Sequence, residues 1–196
     1  MHFIQTPLPG AFLIELDTID DDRGFFARSY CTQEFENHHL KPLTAQVNIS
    51  FNHLKGTLRG LHYQVSPAAE AKCFRCIQGG NYHVIIDMRP QSSTYLQHFG
   101  VELTAQNRLS LYVPELFAHG YQAMNDGSEA LYWVSEFYTP GCERGIRYDD
   151  PAFGIKWPLP ISKISQKDAA WSFFKGNSSG PSISNTELSN SQVSNP

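Results

Sequence analysis

Four side chains that transfer protons or hold negative charge sit at wide intervals in a chain of 196 residues: His62 in RGLHYQ, Lys72 in EAKCFRC, His119 in PELFAHGYQ and Tyr132 in ALYWVSEFY. Each lies in or beside a strand-like run, where successive side chains point to opposite faces. On that period His62 shares a face with Leu58, Gly60 and Gln64 rather than with the bulky Leu61 and Tyr63. A face of small and polar residues suits the border of a cavity. Lys72 opens a run whose same-face members are Phe74 and Cys76, and an inward ammonium is costly unless it meets an anion or a developing negative charge. Tyr132, Val134, Glu136 and Tyr138 share another face, offering a phenol acid and an aromatic platform. His119 stands beside Gly120 at the entrance of a further strand. Taken singly, each has a plainer reading: a hydrogen-bonded core histidine, a lysine reaching to water, a buried tyrosine.

Metal and thiol chemistry find less support. No two histidines alternate as HxH, His38 and His39 are adjacent, and His53 lies in the turn-like NHLKG, so no set of three ligands converges by spacing. Cys73 and Cys76 form a CxxC, but on a strand they face opposite ways, which makes plain buried thiols the expectation.

The elements that must position these residues are short strands. From Val47 onward TLRGLHYQ, KCFRCIQ, NYHVIIDMR, HFGVELT, RLSLYVP, GYQAMN and EALYWVSEFY follow one another, separated by Gly79-Gly80, Arg89-Pro90, Asn125-Asp126-Gly127 and Thr139-Pro140-Gly141. Thirteen phenylalanines and nine tyrosines are available to fill the interior. The pattern predicts an all-β sandwich or jelly roll, with short helices in CTQEFENHHL and SQKDAAW. One domain is expected over residues 1–175, and the Ser- and Asn-rich stretch 176–196 reads as a disordered tail. A net charge of -4 with scattered basic residues argues against a nucleic-acid polymer as partner. No run of about 18 apolar residues and no leader pattern occurs, so neither membrane nor export is expected and the simplest location is cytoplasmic.

Together GTLRGLHYQ, the lysine of EAKCFRCIQGG, VIIDMRPQSSTY, LYVPELFAHGY, ALYWVSEFYTPGCERGIRYDDPAFGIKWPL and SQKD resemble the dTDP-4-dehydrorhamnose 3,5-epimerase family, over about Phe3 to Asp168. The resemblance implies a cupin-type jelly roll, a homodimer, no metal or nicotinamide cofactor, and a nucleotide-linked 4-keto-6-deoxyhexose as substrate. It implies His62 as general base, Asp168 as the carboxylate orienting it, Lys72 facing the C4 oxygen, Tyr132 as proton donor on the opposite face, and His119 near the sugar. For the nucleotide it implies Arg23, Phe25, Gln46, Asn48, Arg59, Glu143 and Lys167, with Tyr138 stacking on the base. Two positions, and the AEAKCFRC segment, depart from the family pattern. Arg28 stands for an acidic residue near the nucleotide, and His83 for an aspartate that would be a counter-charge to Lys72. A neutral imidazole supplies no such charge, so Lys72 is expected to lack a carboxylate partner. Open alternatives are action at one carbon only, a CDP-linked sugar, and a catalytically silent sugar-nucleotide-binding cupin.

Overall fold

Alternating apolar residues build two facing antiparallel sheets in the computed structural model, which describes residues 1–175. In chain order the elements are β1 (His2–Gln5), β2 (Phe12–Glu15), β3 (Thr18–Asp21), β4 (Gly24–Ala27), α1 (Thr32–Asn37), β5 (Gln46–Asn52), β6 (Thr57–Gln64) and β7 (Lys72–Gln78). There follow β8 (Gly80–Asp87), β9 (His98–Thr104), β10 (Ser110–Val113), β11 (Phe117–Ala123), β12 (Ser128–Val134), β13 (Glu143–Gly145), β14 (Lys163–Ile164) and α2 (Gln166–Ala169). One sheet runs β1-β2-β10-β7-β12-β5; the other runs β13-β6-β11-β8-β9, with β14 added parallel to β6. The fold is the expected cupin-type jelly roll with two short helices. The reading of residues 176–196 as a tail lies outside the described residues. No helix among the described residues is long and apolar enough to cross a membrane.

Three apolar clusters hold the layers. Between the sheets lie Phe74, Cys76, Ile85, Phe99, Leu103, Leu111 and Phe117. The outer face of the first sheet is closed by α1, whose Phe35 packs on Ile14, Leu43, Cys73 and Tyr112. The outer face of the second is closed by the C-terminal chain, where Ile146 and Phe153 cover Leu61, Val84, Ile86 and Ala118. Covering of both faces buries β8 along almost its whole length, and Val84, Ile85 and Ile86 follow one another in it without alternation. Cys73 and Cys76 fall in different clusters, on opposite faces, and all four cysteines are free. Burial pushes the Cys73 thiol up to about 12.

Two strand expectations need correction. β11 begins at Phe117 rather than Gly120, because its ladder to β8 starts at the Phe117–Asp87 pair, so His119 lies within a central strand. The register of β6 is not uniform either: His62 pairs with His119 but Arg59 pairs with Tyr121, so that Gly60 and Leu61 together face the single residue Gly120. This bulge re-aims the chain, so that Arg59 and His62, of opposite parity, line one cavity. Gly60 sits in the bulge at φ +102, and a Cβ there would lie 2.6 Å from the His119 carbonyl oxygen and 2.7 Å from Gly120 Cα. Both obstacles are backbone, which cannot swing aside. Gly60→Ala is therefore expected to lower stability by on the order of 3 kcal/mol, measured by denaturant unfolding; an unchanged midpoint would show that the bulge accommodates a side chain.

Candidate active site

The two sheets part at one end around a cavity of about 540 Å³, bordered by Arg59, His62, Lys72, Phe74, His119, Tyr121, Tyr132, Lys163, Lys167 and Asp168. A smaller space of about 180 Å³ shares His62, Lys72 and Tyr132 with it and adds Gln46, Asn48, Glu70, Tyr138 and Glu143. His62 and His119 come from one sheet, and Lys72, Phe74 and Tyr132 from the sheet facing it. Groups of different chemistry thus meet across the cavity from opposite walls.

His62 is oriented by a carboxylate. Its Nε2 lies 2.5 Å from Asp168 Oδ1, while Asp168 Oδ2 accepts the Gly60 N–H at 3.1 Å. Ser165 caps α2 by accepting the Asp168 N–H on its hydroxyl, which fixes the carboxylate over β6. Burial raises the Asp168 carboxyl, but the His62 hydrogen bond and charge, aided by the Gly60 N–H, outweigh it and hold the group below its usual 3.8. With Nε2 engaged, Nδ1 is the ring's remaining polar atom.

An aromatic stack runs from the opposite wall across to His119. Tyr132 stacks on Phe74 at 4.7 Å between centroids, and Phe74 on His119 at 4.0 Å. Burial, with smaller contributions from Tyr121 and Glu70, raises the Tyr132 phenol above its usual value of 10, so it keeps its proton at neutral pH. Lys72 does have a carboxylate partner: Glu70 Oε1 lies 2.8 Å from its Nζ, with both side chains largely buried. The expected loss of a counter-charge is thereby corrected. His83 contacts His119 instead, Nδ1 to Nε2 at 2.9 Å.

At the rim, Arg59 donates to Asn52 Oδ1 and to the Phe51 carbonyl, which extends its guanidinium along the cavity. Lys167 pairs with Glu143 at 2.5 Å and lies over the Tyr138 ring, whose hydroxyl also donates to Glu143. Lys163, beside them, had not been singled out in the sequence. Two expected residues are not brought here. Arg23 and Phe25 lie on the β3–β4 hairpin, a separate two-stranded sheet, where Arg23 binds Asp21 and Arg108 lies over the Phe25 ring. Arg28 pairs with Glu34, also outside both spaces. Among the described residues no three His, Cys, Asp or Glu side chains cluster as metal ligands do.

Of the residues overlooked, Glu70 had the clearest signal. It stands two positions before Lys72, on the same face of an extended chain. Tyr121 and Ser50, joined by a hydrogen bond across the sheets, had none, since neither adjoins a recognisable motif.

A jelly roll that presents an imidazole–carboxylate pair and a protonated phenol from opposite walls is a cupin-type proton-transfer site. The family model for dTDP-4-dehydrorhamnose 3,5-epimerase matches residues 5–176. The dTDP-4-dehydrorhamnose 3,5-epimerase of Salmonella typhimurium is 37% identical over 171 residues, covering 87% of this chain and 93% of its own. The crystal structure of the dTDP-4-dehydrorhamnose 3,5-epimerase from Elizabethkingia anophelis superposes with a TM-score of 0.86 at 34% identity, covering 89% of this chain and 96% of that one. The dTDP-6-deoxy-D-glucose-3,5-epimerase of Legionella pneumophila, in complex with dTDP-4-keto-L-rhamnose, gives 0.81 at 33% identity, covering 88% and 92%. The chain belongs to the dTDP-4-dehydrorhamnose 3,5-epimerase family.

Asp168→Asn keeps the shape of the carboxylate but removes the negative acceptor for His62 Nε2–H. Turnover is expected to fall by about 10²- to 10⁴-fold, read as initial rate on a 4-keto sugar nucleotide. The same variant has a signature in stability. Because the native carboxyl titrates below 3.8, its contribution is complete above that value and is lost as pH falls through the native pKa. The stability gap between the parent protein and Asp168→Asn should therefore shrink between about pH 5 and pH 2, measured by urea unfolding; a gap independent of pH would refute the pairing.

Proposed function

We propose that the protein epimerises a nucleotide-linked 4-keto-6-deoxyhexose, dTDP-4-dehydro-6-deoxyglucose in the first instance, to dTDP-4-dehydrorhamnose. The observation that carries this reading is the placement of base and acid on opposite walls of one cavity. Hydrogens on the carbons flanking a ketone are weakly acidic, and inversion requires removal from one face and return to the other. His62 takes the proton on Nδ1 while Asp168 stabilises the imidazolium; the C–H electron pair moves into an enolate whose oxygen meets the Lys72 ammonium. Tyr132 then gives its proton to the opposite face, and solvent restores both groups. No redox partner enters the balance.

Arg59, Lys163 and Lys167 supply positive charge for the diphosphate, and Tyr138, Gln46, Asn48 and Glu143 the adjoining subsite. Arg23 and Phe25 retain a nucleotide role in this reading if the chain is a homodimer whose hairpin serves its partner's cavity. Support comes from β5, the open edge of the sheet β1-β2-β10-β7-β12-β5, where Val47, Ile49 and Phe51 alternate and are 57%, 61% and 43% exposed in the single chain. The four free cysteines favour a reducing, cytoplasmic setting.

Incubation with dTDP-4-dehydro-6-deoxyglucose in deuterated water should place deuterium at C3 and C5. His62→Ala should abolish incorporation while nucleotide binding persists; exchange at the parent rate in that variant would remove His62 as the base. Hairpin exchange has its own test. Co-refolding His62→Ala with Arg23→Ala/Phe25→Ala should recover about a quarter of parental activity, since half the dimers then hold one complete site. Activity no greater than the sum of the separate variants would confine each site to one chain.

A further inference from the structure

At the floor of the cavity His119 is backed by a second, fully buried histidine that the proton transfers leave unused. His83 on β8 meets His119 on β11 at 2.9 Å, and the rings are 0% and 5% exposed. His83 lies between Tyr121, stacked at 5.1 Å, and Phe74, tilted at 5.4 Å. Its Nε2 is buried without a hydrogen-bond partner. Only one proton fits between the two rings, which leaves two arrangements.

In the first, His119 donates from Nε2, and the proton of a neutral His83 must sit on its own Nε2, where nothing accepts it. In the second, His83 donates from Nδ1, its Nε2 is a bare lone pair, and the proton of His119 lies on Nδ1. A buried N–H without an acceptor is the rarer and costlier defect, so the second arrangement wins. Charging either ring is opposed as well. Burial pushes His83 down to about 3; burial first, then His83, Lys72 and His62, drives His119 well below its usual value. The titratable and charged groups around His119 are His83 from β8, Lys72 from β7, His62 from β6, Tyr121 from its own strand, and Tyr132 beyond the Phe74 ring from β12. None of them is a carboxylate that would favour an imidazolium.

We infer that His83 is a positioning residue: its Nδ1–H fixes His119 in the Nδ1–H tautomer, so that His119 meets the sugar as a permanently neutral hydrogen-bond donor. The inference rests on the epimerase reading and deepens it. A neutral imidazole N–H stabilises an enolate oxygen without competing with Tyr132 as an acid, so the returned proton arrives only on the Tyr132 face. The ammonium of Lys72 supplies charge, and His119 supplies direction.

The test separates the tautomer from the catalysis. Nitrogen-15 NMR of the labelled, ligand-free protein should show His119 protonated at Nδ1 alone and unchanged from pH 8 to 5. An Nε2–H tautomer, or titration within that window, overturns the inference whatever the enzyme does with a sugar. His83→Asp converts the donor to an acceptor, draws the His119 proton to Nε2 and leaves a lone pair facing the substrate. The carboxylate that the family pattern places here favours an imidazolium whose Nδ1–H still donates. The variant's deuterium-exchange rate should therefore be lower by about 10²-fold, mostly in kcat, only above the pH at which His119 loses its second proton. Because protonation of His119 restores the lost donor, the ratio of variant to parent rate should rise as pH falls. His83→Asn, whose amide N–H can still donate to His119 Nε2, should keep the parental tautomer and stay within about tenfold of the parent rate. A rate ratio for His83→Asp that is flat with pH, with His119 still protonated at Nδ1, would reduce His83 to core packing. Absence of any exchange in the parent protein would instead discard the epimerase reading and leave the NMR result standing.

Discussion

One carboxylate, that of Asp168, ties the site to the fold. It accepts from the His62 ring with one oxygen and from the Gly60 backbone with the other, so the C-terminal helix and β6 are joined at the point where β6 is irregular. The bulge would otherwise leave the Gly60 N–H without a ladder partner. The same carboxylate that satisfies this backbone donor engages His62 Nε2 through its other oxygen and leaves Nδ1 as the ring's remaining polar atom. Structural need and chemical need are met by one group, and for that reason neither the bulge nor the helix can be considered apart from the imidazole.

Around that anchor the interior grades from apolar to polar along the barrel. At one end Leu103, Leu111 and Phe117 exclude water; toward the other, aromatic rings give way to His83, His119 and Tyr121, and then to charged residues at the mouth. The sequence of environments sets the protonation states. Fully buried imidazoles stay neutral, a partly buried phenol keeps its proton, and the Asp168 carboxyl, facing His62, is held below its usual value, while Glu70 lies against the Lys72 ammonium. Protonation states therefore follow from depth in the cavity as much as from residue type.

Much of this was legible in one dimension. The spans of β6, β7 and β9 follow directly from alternation and turn residues, and the residue types for acid, base and charge stabilisation could be read as candidates because each interrupts an apolar strand. The N-terminal strands β1 and β2 escaped notice, since four-residue strands carry too little period to stand out, and their place in the sheet comes from the ladder that β10 offers β2 and β2 in turn offers β1. Glu70 escaped because it precedes the strand that its partner opens.

The sequence by itself determined the chemistry available and the fold class: which residues can donate, accept or carry charge, and that short amphipathic strands must pair into two sheets to bury their aromatic faces. Only the tertiary structure decided which of those groups are partners. It gave Lys72 to Glu70 and His83 to His119, and it set Arg23 and Phe25 on a hairpin apart from the cavity. The physical reason is that hydrogen bonds and ion pairs act over about 3 Å, and such approaches are fixed by sheet register and by a single bulge. Periodicity records the face a residue occupies; it carries no record of what stands opposite.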